Sequence, residues 1–341
     1  MAPRERLDSP EQYTVAWIAA LSYERAAATA VLDERHDEPA GFEQPIHDTN
    51  AYTWGRIANH NVVIASLPAG EYGTTVASTT ANSLRFALPH IRFGLMVGIG
   101  AGVPQFKDVR LGDIVVSQPQ ESSGGVVQYD LVKARREGHL LTGHLDMPPE
   151  VLRNALTKLQ AEHELEDSIV PSVLQAMVQK FPKMDRQTPE DSGYTHPGDD
   201  KDRLCVTCSS HVSGTDSGNC SDTGPREPRR SKNPKIHYGI IASGNTLVKD
   251  AKERTEILDR LPETWRSKCL CIEMEAAGLM NKFPCIVIRG ICDYADSHKN
   301  DMWQKYAAAT AAAFAKEFLG YVDAREVDRA PGISQALEKG L

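Results

Sequence analysis

Cys269–Asp296 reads CLCIEMEAAGLMNKFPCIVIRGICDYAD. Within it Glu273 and Glu275 stand two residues apart, an Ala-rich segment follows, and the apolar run PCIVIRGIC closes on Asp293 and Asp296. Four carboxylates therefore mark the two ends of what reads as one helix–strand unit. The apolar run, bounded by polar residues and rich in Ile and Val, has the pattern of a buried strand.

Working outward, the same alternation recurs. YTVAWIAA (13–20) is β-like and SYERAAATAVLDE (22–34) is Ala-rich and helical. AYTWGRI (51–57) and NVVIAS (61–66) flank Ala58-Asn59-His60, a hairpin-like connection. GTTVASTTANSLRFAL (73–88) fits a helix, FGLMVGIGAG (93–102) a strand running into glycines, and LGDIVVS (111–117) another strand. Residues 150–165 and KDAKERTEILDRL (249–261) read as helices, and residues 301–322 as a long Ala-rich amphipathic one. Strands alternating with helices predict an α/β fold, with a parallel or mixed sheet covered on both faces. Residues 166–234 break the pattern with Pro, Ser, Asp, Gly and Lys, and read as a partly irregular insertion. The expected organisation is a polar N-terminal tail (1–12), a single domain (13–322) carrying that insertion, and a polar tail or linker (323–341).

The chain has 341 residues and a net charge of -8, which argues against a nucleic-acid or anionic-membrane surface. PREPRRSKNPK (225–235) is Pro-broken and reads as a solvated loop. The N-terminus lacks the apolar core of a signal peptide, and no run approaches the roughly 20 apolar residues of a membrane span. A cytoplasmic protein with no membrane partner is expected, its seven cysteines thiols rather than disulfides. Cys205, Cys208, His211 and Cys220 have a composition that could bind zinc, but their spacing matches no standard finger, so no metal is expected. VGIGAGVP (97–104) fails the dinucleotide fingerprint at Val103 and lacks the Gly-Lys-Ser/Thr of a phosphate loop. Gly98, Gly100 and Gly102 are expected to form a glycine bend, with a structural turn and a ligand loop equally open.

VAWIAALSYER, the G-x-G-x-G stretch, LGDIVVS, IIASGNTLV and EMEAAGL with VIRGICDYAD occur in that order. In order and spacing they resemble the nucleoside phosphorylase/nucleosidase superfamily, which includes methylthioadenosine/S-adenosylhomocysteine nucleosidases and purine nucleoside phosphorylases. They look closest to its fungal branch, whose members often begin larger multidomain proteins. The resemblance covers roughly 13–320, the insertion excepted. It implies a three-layer α/β/α fold around a central mixed, partly barrel-like sheet, and cleavage of a ribosyl C1′–N9 bond without a cofactor. Homo-oligomers are common among such proteins, and one is expected here.

Residue by residue, the resemblance implies that Asp293 is the acid that protonates the departing purine. A carboxylic acid kept protonated by partial burial can do this, although the same residue could cap a helix. Glu275 matches the carboxylate that accepts hydrogen bonds from the ribose hydroxyls, Met274 packs under the sugar, and Glu273 is a further ribose-side candidate. Asp296 reads as a cap for the next helix, and Arg289 as a partner for Asp293 or a strand-end ion pair. Asn245, Leu247 and Val248 match the base-binding stretch, where Leu247 replaces an aromatic residue and Asn245 an aspartate.

Glu24 aligns with the glutamate that activates the attacking water. Where phosphorylases place an Arg and a Ser, this chain has Met96 and Ile99, which favours hydrolysis. Arg25 and Thr74 remain as an alternative anion site, Thr74 doubling as a helix-start residue. The expected function is hydrolysis of a purine ribonucleoside, adenosine or inosine type, by water. The alternatives are phosphorolysis, with phosphate as co-substrate, and a non-catalytic nucleoside sensor within a larger signalling protein.

Overall fold

In a computed structural model of the protein, residues 3–136, 138–188, 191–205, 223–226, 229–333 and 335 are described. β1 (Val15–Ala19) leads into α1 (Ser22–Ala30), followed by β2 (Glu34–His36), β3 (Thr53–Ile57) and β4 (His60–Ser66). α2 (Thr74–Ala87) then returns the chain to β5 (Phe93–Gly102), β6 (Ile114–Ser117) and β7 (Val126–Gln128). A ribbon of β8 (Val132–Arg135) and β9 (Gly138–Leu141) precedes α3 (Glu150–Glu162) and α4 (Val170–Lys180), and β10 (Arg203–Cys205) pairs with β11 (Thr223–Pro225). β12 (Ile236–Ser243), α5 (Ala251–Arg260), α6 (Glu263–Arg266), β13 (Cys269–Glu273), β14 (Cys285–Asp293), α7 (Gln304–Tyr321) and α8 (Ala324–Arg329) complete the order.

The main sheet runs β13-β12-β6-β14-β5-β1-β4-β3-β2, with β7 on β12. β13 also pairs antiparallel with β5, through Cys271↔Gly102 and Ile272↔Ala101. That second pairing closes β5, β14, β6, β12 and β13 into a barrel, while β1 to β4 extend from β5 as a wing. One core, holding α1, α3, α4 and α7, lies on one face of the wing; a second, holding α2, lies on the other. The three-layer α/β/α arrangement with a mixed, partly barrel-like sheet is therefore present.

The local chemistry explains the central strands. β14 is buried at every residue, so it carries an unbroken apolar run rather than an alternation. Each of its fully buried Ile side chains stabilises the fold by about 1.5–3 kcal/mol. α7 lies close against it because its contact positions are mostly alanine. At Gly290 the approach leaves no room for a side chain: a Cβ would sit 1.8 Å from the Ala307 carbonyl oxygen.

Several expectations are corrected. EMEAAGL is not a helix. β13 ends at Glu273, a single 3-10 turn spans Ala276–Gly278, and β14 follows, so the opening unit is strand–turn–strand. Gly98, Gly100 and Gly102 form no bend, because β5 continues through all three. Part of the insertion is ordered as α4, and two arginines of its basic cluster are docked, while Arg230, Lys232 and Lys235 stay exposed as expected. Arg229 pairs with Asp113 and Asp108, and Arg226 with Asp108, their side chains only 12% and 14% exposed. The described residues of both terminal segments pack against the domain. Asp37 and Ala40 donate backbone hydrogen bonds to Glu5 and Leu7, and beyond α8 the Ile333 side chain is fully buried.

Cys269, Cys271, Cys285 and Cys292 are buried thiols, as their apolar setting predicts. The Cys208, His211 and Cys220 group lies outside the described residues. Among the described residues no helix is long and apolar enough to cross a membrane.

Candidate active site

β1, β5 and β14 run parallel, and their carboxyl ends open on one cavity of about 440 Å³. Ligands bind at this edge of open α/β sheets because side chains and free backbone groups converge there. Glu24, Glu273, Met274, Glu275, Asp293, Leu247 and Val248 all line it. A larger cavity, about 580 Å³ beside α2, is lined by Thr74, Ser78, Gln128, Trp265 and Asn281 among others and, among the described residues, by no carboxylate. Size does not identify the chemistry; the carboxylates do.

Glu24 is the third residue of α1 and is buried. Its Oε2 accepts from the Ala20 and Leu21 backbone N–H groups at 2.7 and 2.9 Å, and Oε1 accepts from Ile99 N–H at 2.8 Å. A glutamate here takes up helix-start donors that would otherwise lack partners. A carboxylate has about four acceptor sites, so roughly one remains for a ligand. Burial raises its pKa, with Arg289 and the three N–H donors opposing.

Arg289 is completely buried on β14, opposite Gly98 of β5. It donates through Nη2 to Glu273 Oε2 and to Glu275 Oε2 (3.3 Å), and through Nη1 to the Ile99 carbonyl (3.3 Å). A Cβ at Gly98 would lie 2.5 Å from both Arg289 Nη1 and Glu24 Oε1, so this glycine is what lets the two groups meet. Arg289 therefore serves the glutamates and not Asp293, so of its two readings the ion pair is the one observed. Its own pKa is raised: Glu273, Glu275 and Glu24 outweigh the desolvation.

Glu273 is corrected as well. Its oxygens accept from Glu275 N–H and Ala276 N–H, both at 3.1 Å, and from Arg289, so it positions the turn rather than offering acceptors to a sugar. Glu275 is less committed, with one long contact from Gly73 N–H (3.4 Å) and one from Arg289. Burial first, then the neighbouring Glu273 and Glu24, raises its pKa to about 7 against the pull of Arg289.

Asp293 ends β14 just past a register shift against β5, the kind of irregularity that re-aims a side chain. Oδ1 accepts from Ala295 N–H at 2.8 Å, and Oδ2 from the Cys292 thiol at 3.1 Å and from Lys299 Nζ. Ala295 sits at φ +51°, an uncommon left-handed conformation that makes this tight turn. Asp296 accepts from His298 N–H at 3.0 Å and caps that turn; α7 starts only at Gln304. The helix-cap expectation for Asp296 is thus replaced by a turn cap.

The base-binding stretch divides. Leu247, 47% exposed, and Val248 line the cavity, but Asn245 does not. Asn245 is a cross-link: Oδ1 accepts from Thr74 N–H (3.1 Å) and Oγ1 (3.0 Å), while its own N–H and Nδ2 donate to Asp130. Thr74 has therefore spent both donors. Arg25 donates to Ala51 O, Ser66 Oγ and Thr53 Oγ1, away from the cavity. The alternative anion site of Arg25 with Thr74 does not form. Residues that the sequence reading did not single out, Tyr23, Tyr72, Lys299 and Gln304, also line the cavity. Only Lys299 had a signal, a lysine in the polar turn six residues past the acid.

A closed barrel with a mixed wing thus carries a carboxylate-lined cavity at its strand ends. Solved structures that are 16–18% identical in sequence share this fold. Futalosine hydrolase of Helicobacter pylori superposes with a TM-score of 0.55 at 16% identity, covering 91% of this chain and 99% of that one. A methylthioadenosine/S-adenosylhomocysteine nucleosidase of Neisseria meningitidis, solved with methylthio-immucillin-A, gives 0.53 at 16%, covering 90% and 98%. The corresponding enzyme of Colwellia psychrerythraea, in complex with adenine, gives 0.55 at 18%, covering 91% and 96%.

No family model matches the chain. A nucleotide-binding leucine-rich repeat (NLR)-like protein of Hyaloscypha variabilis is 43% identical over 312 residues, which is 91% of this chain and 29% of that protein. The ATP nucleosidase Cap17 of Escherichia coli is 30% identical over 89 residues, 25% of this chain and 17% of that protein. The chain thus spans less than a third of the length of the curated relatives it matches.

Proposed function

We propose that the protein is a purine nucleosidase that hydrolyses the N-glycosidic bond of a purine ribonucleoside. The observation that carries this is the meeting of Glu24, Glu275, Met274 and Asp293 in one cavity. Glu275 accepts the ribose hydroxyls, and its charge stabilises the developing oxocarbenium ion. Glu24 takes a proton from the attacking water, whose oxygen bonds to C1′. As the C1′–N9 bond breaks, its electron pair leaves with the purine, which receives a proton through Asp293. Val248, Leu247 and the two tyrosines supply apolar and ring surface for the base.

Water is favoured over phosphate by the side chains already committed elsewhere. Arg25 and Thr74 are occupied, Met96 is buried in β5, and Ile99 offers its N–H to Glu24. A dianionic nucleophile needs cations and donors, and Lys299, beside Asp293, is on the base side. The sensor alternative draws on the NLR-like relative, of which the chain covers 29%. The presence of all three carboxylates favours turnover.

The test is incubation with adenosine, inosine, guanosine, methylthioadenosine, ATP and uridine, with and without phosphate, followed by identification of the sugar product. Free base and unphosphorylated C1′–OH sugar without added phosphate are expected. Sugar 1-phosphate formed only with phosphate present would replace this reading with phosphorolysis. No base release from any of them would favour the sensor.

A pH dependence follows from Glu275. The role needs its ionised form, so kcat/KM is expected to fall about tenfold per unit as pH drops below about 7. Stability moves the other way. This carboxyl's folded pKa lies above its ordinary 4.5, so its contribution is fully present below about 4.5 and is lost as pH rises through about 7. Glu275→Gln should therefore abolish turnover while raising Tm at pH 8 and not at pH 4.5. A Tm gain equal at both pH values would contradict the assignment.

A further inference from the structure

Lys299 stands in the turn between β14 and α7, with its side chain 15% exposed and its ammonium group on Asp293 Oδ2. It lines the carboxylate cavity, and it also lines a second, small cavity of about 50 Å³ behind Asp293. Every hydrogen aimed at Asp293 comes from a neighbour: Ala295 N–H, the Cys292 thiol and Lys299. In this geometry the carboxylate is an acceptor throughout, yet the chemistry proposed above needs it to deliver a proton. The nearest exchangeable proton on a charged group belongs to Lys299.

We propose that Lys299 is the proton source behind Asp293, so that the acid of this site is the Asp293–Lys299 pair; this presupposes the base-release reaction proposed above. When the C1′–N9 bond breaks and the electron pair moves onto the base, Asp293 passes a proton to the purine nitrogen as it takes one from Lys299. Asp293 is left a carboxylate and Lys299 a neutral amine. Glu24 meanwhile holds the proton lost by water, and solvent restores both groups after release. The small cavity, open to Lys201, Arg203 and His298, gives Lys299 a face away from the substrate for that reload. The charged and titratable groups facing Lys299 are Asp293 and Cys292 from β14, Asp301 from its own turn, and Asp296 with His298, Lys201 and Arg203 across the small cavity. Acting through Asp293, Lys299 is a positioning and proton-supplying residue rather than a substrate contact. Its pKa is raised: Asp293 first, then Cys292, outweighs desolvation.

Two variants separate proton supply from charge alone. Lys299→Arg keeps a cation and N–H donors but gives up no proton in this range. Lys299→Met removes both. Each is expected to lose about 10²–10³ in kcat on a purine nucleoside at pH 7.5. On p-nitrophenyl β-D-ribofuranoside, whose phenolate departs without a proton, each should lose less than about tenfold. Wild-type rates in Lys299→Arg would reduce the lysine to a counter-charge, and equal losses on both substrates would reduce it to packing; either overturns the relay. If the wild-type protein releases no base from any nucleoside, the nucleosidase reading fails by itself. The pairing is then judged by NMR of Cε-labelled lysine, where Asp293→Asn should lower the midpoint of one buried lysine by about one unit or more. An unchanged midpoint overturns the pair.

Discussion

Asp293→Asn is expected to lower kcat on a purine nucleoside by about 10²–10⁴ while the protein folds and binds normally. Asparagine can still accept the Ala295 N–H with its oxygen, so the turn at the end of β14 keeps its shape. What it cannot do is pass a proton on. The affinity for a nucleoside should change little, because the proposed sugar contacts, Glu275 and Met274, lie on the turn after β13 and not on β14. The measurement is kcat and KM for inosine or adenosine beside the thermal midpoint. A variant as fast as wild type would remove Asp293 from the acid role, and a collapsed Tm would make it a structural residue instead.

The second large effect is on folding. Arg289→Met should lower stability at pH 8 by about 3–5 kcal/mol, since removing one partner of a buried ion pair strands the other. Here one guanidinium serves Glu273 and Glu275 directly and Glu24 through space. In a chain of this length the loss corresponds to a fall in Tm of roughly 10 °C. The deficit should shrink as pH falls toward 5, because burial raises the pKa of Glu275 and Glu24 and protonation removes the uncompensated charge. Thermal scans of both proteins from pH 5 to 8 check this. Midpoints that differ equally at every pH would mean that Arg289 contributes packing and not charge balance.

Most of the element order was legible because its signals are local. The unbroken apolar run of β14, the alanine spacing of α7 and the hairpin at Ala58-Asn59 each carry their own periodicity or turn chemistry. Glu24, Glu275 and Asp293 were legible as members of motifs, and all three line one cavity. Other features were hidden for a physical reason. Asn245, Thr74 and Arg25 are short polar or charged residues whose partners come from distant segments, so no spacing rule could show that their donors were spent. The glycines of 98–102 looked like a bend because glycine favours bends. They serve close approach within a continuous strand, with Glu24 and Arg289 over Gly98.

The sequence by itself determined the α/β class, the order of strands and helices, and which carboxylates were available for chemistry. Those follow from side-chain pattern along a few neighbouring residues. Only the tertiary structure decided what each carboxylate contacts. The pairing of β13 with β5 closes the barrel, the register of β14 on β5 sets Arg289 over Gly98, and the shift before Asp293 turns that side chain toward Lys299. These are contacts between residues far apart in the chain, fixed by burial and register, and they separate Glu273, held by the backbone and Arg289, from Glu275, left with room to accept a ligand.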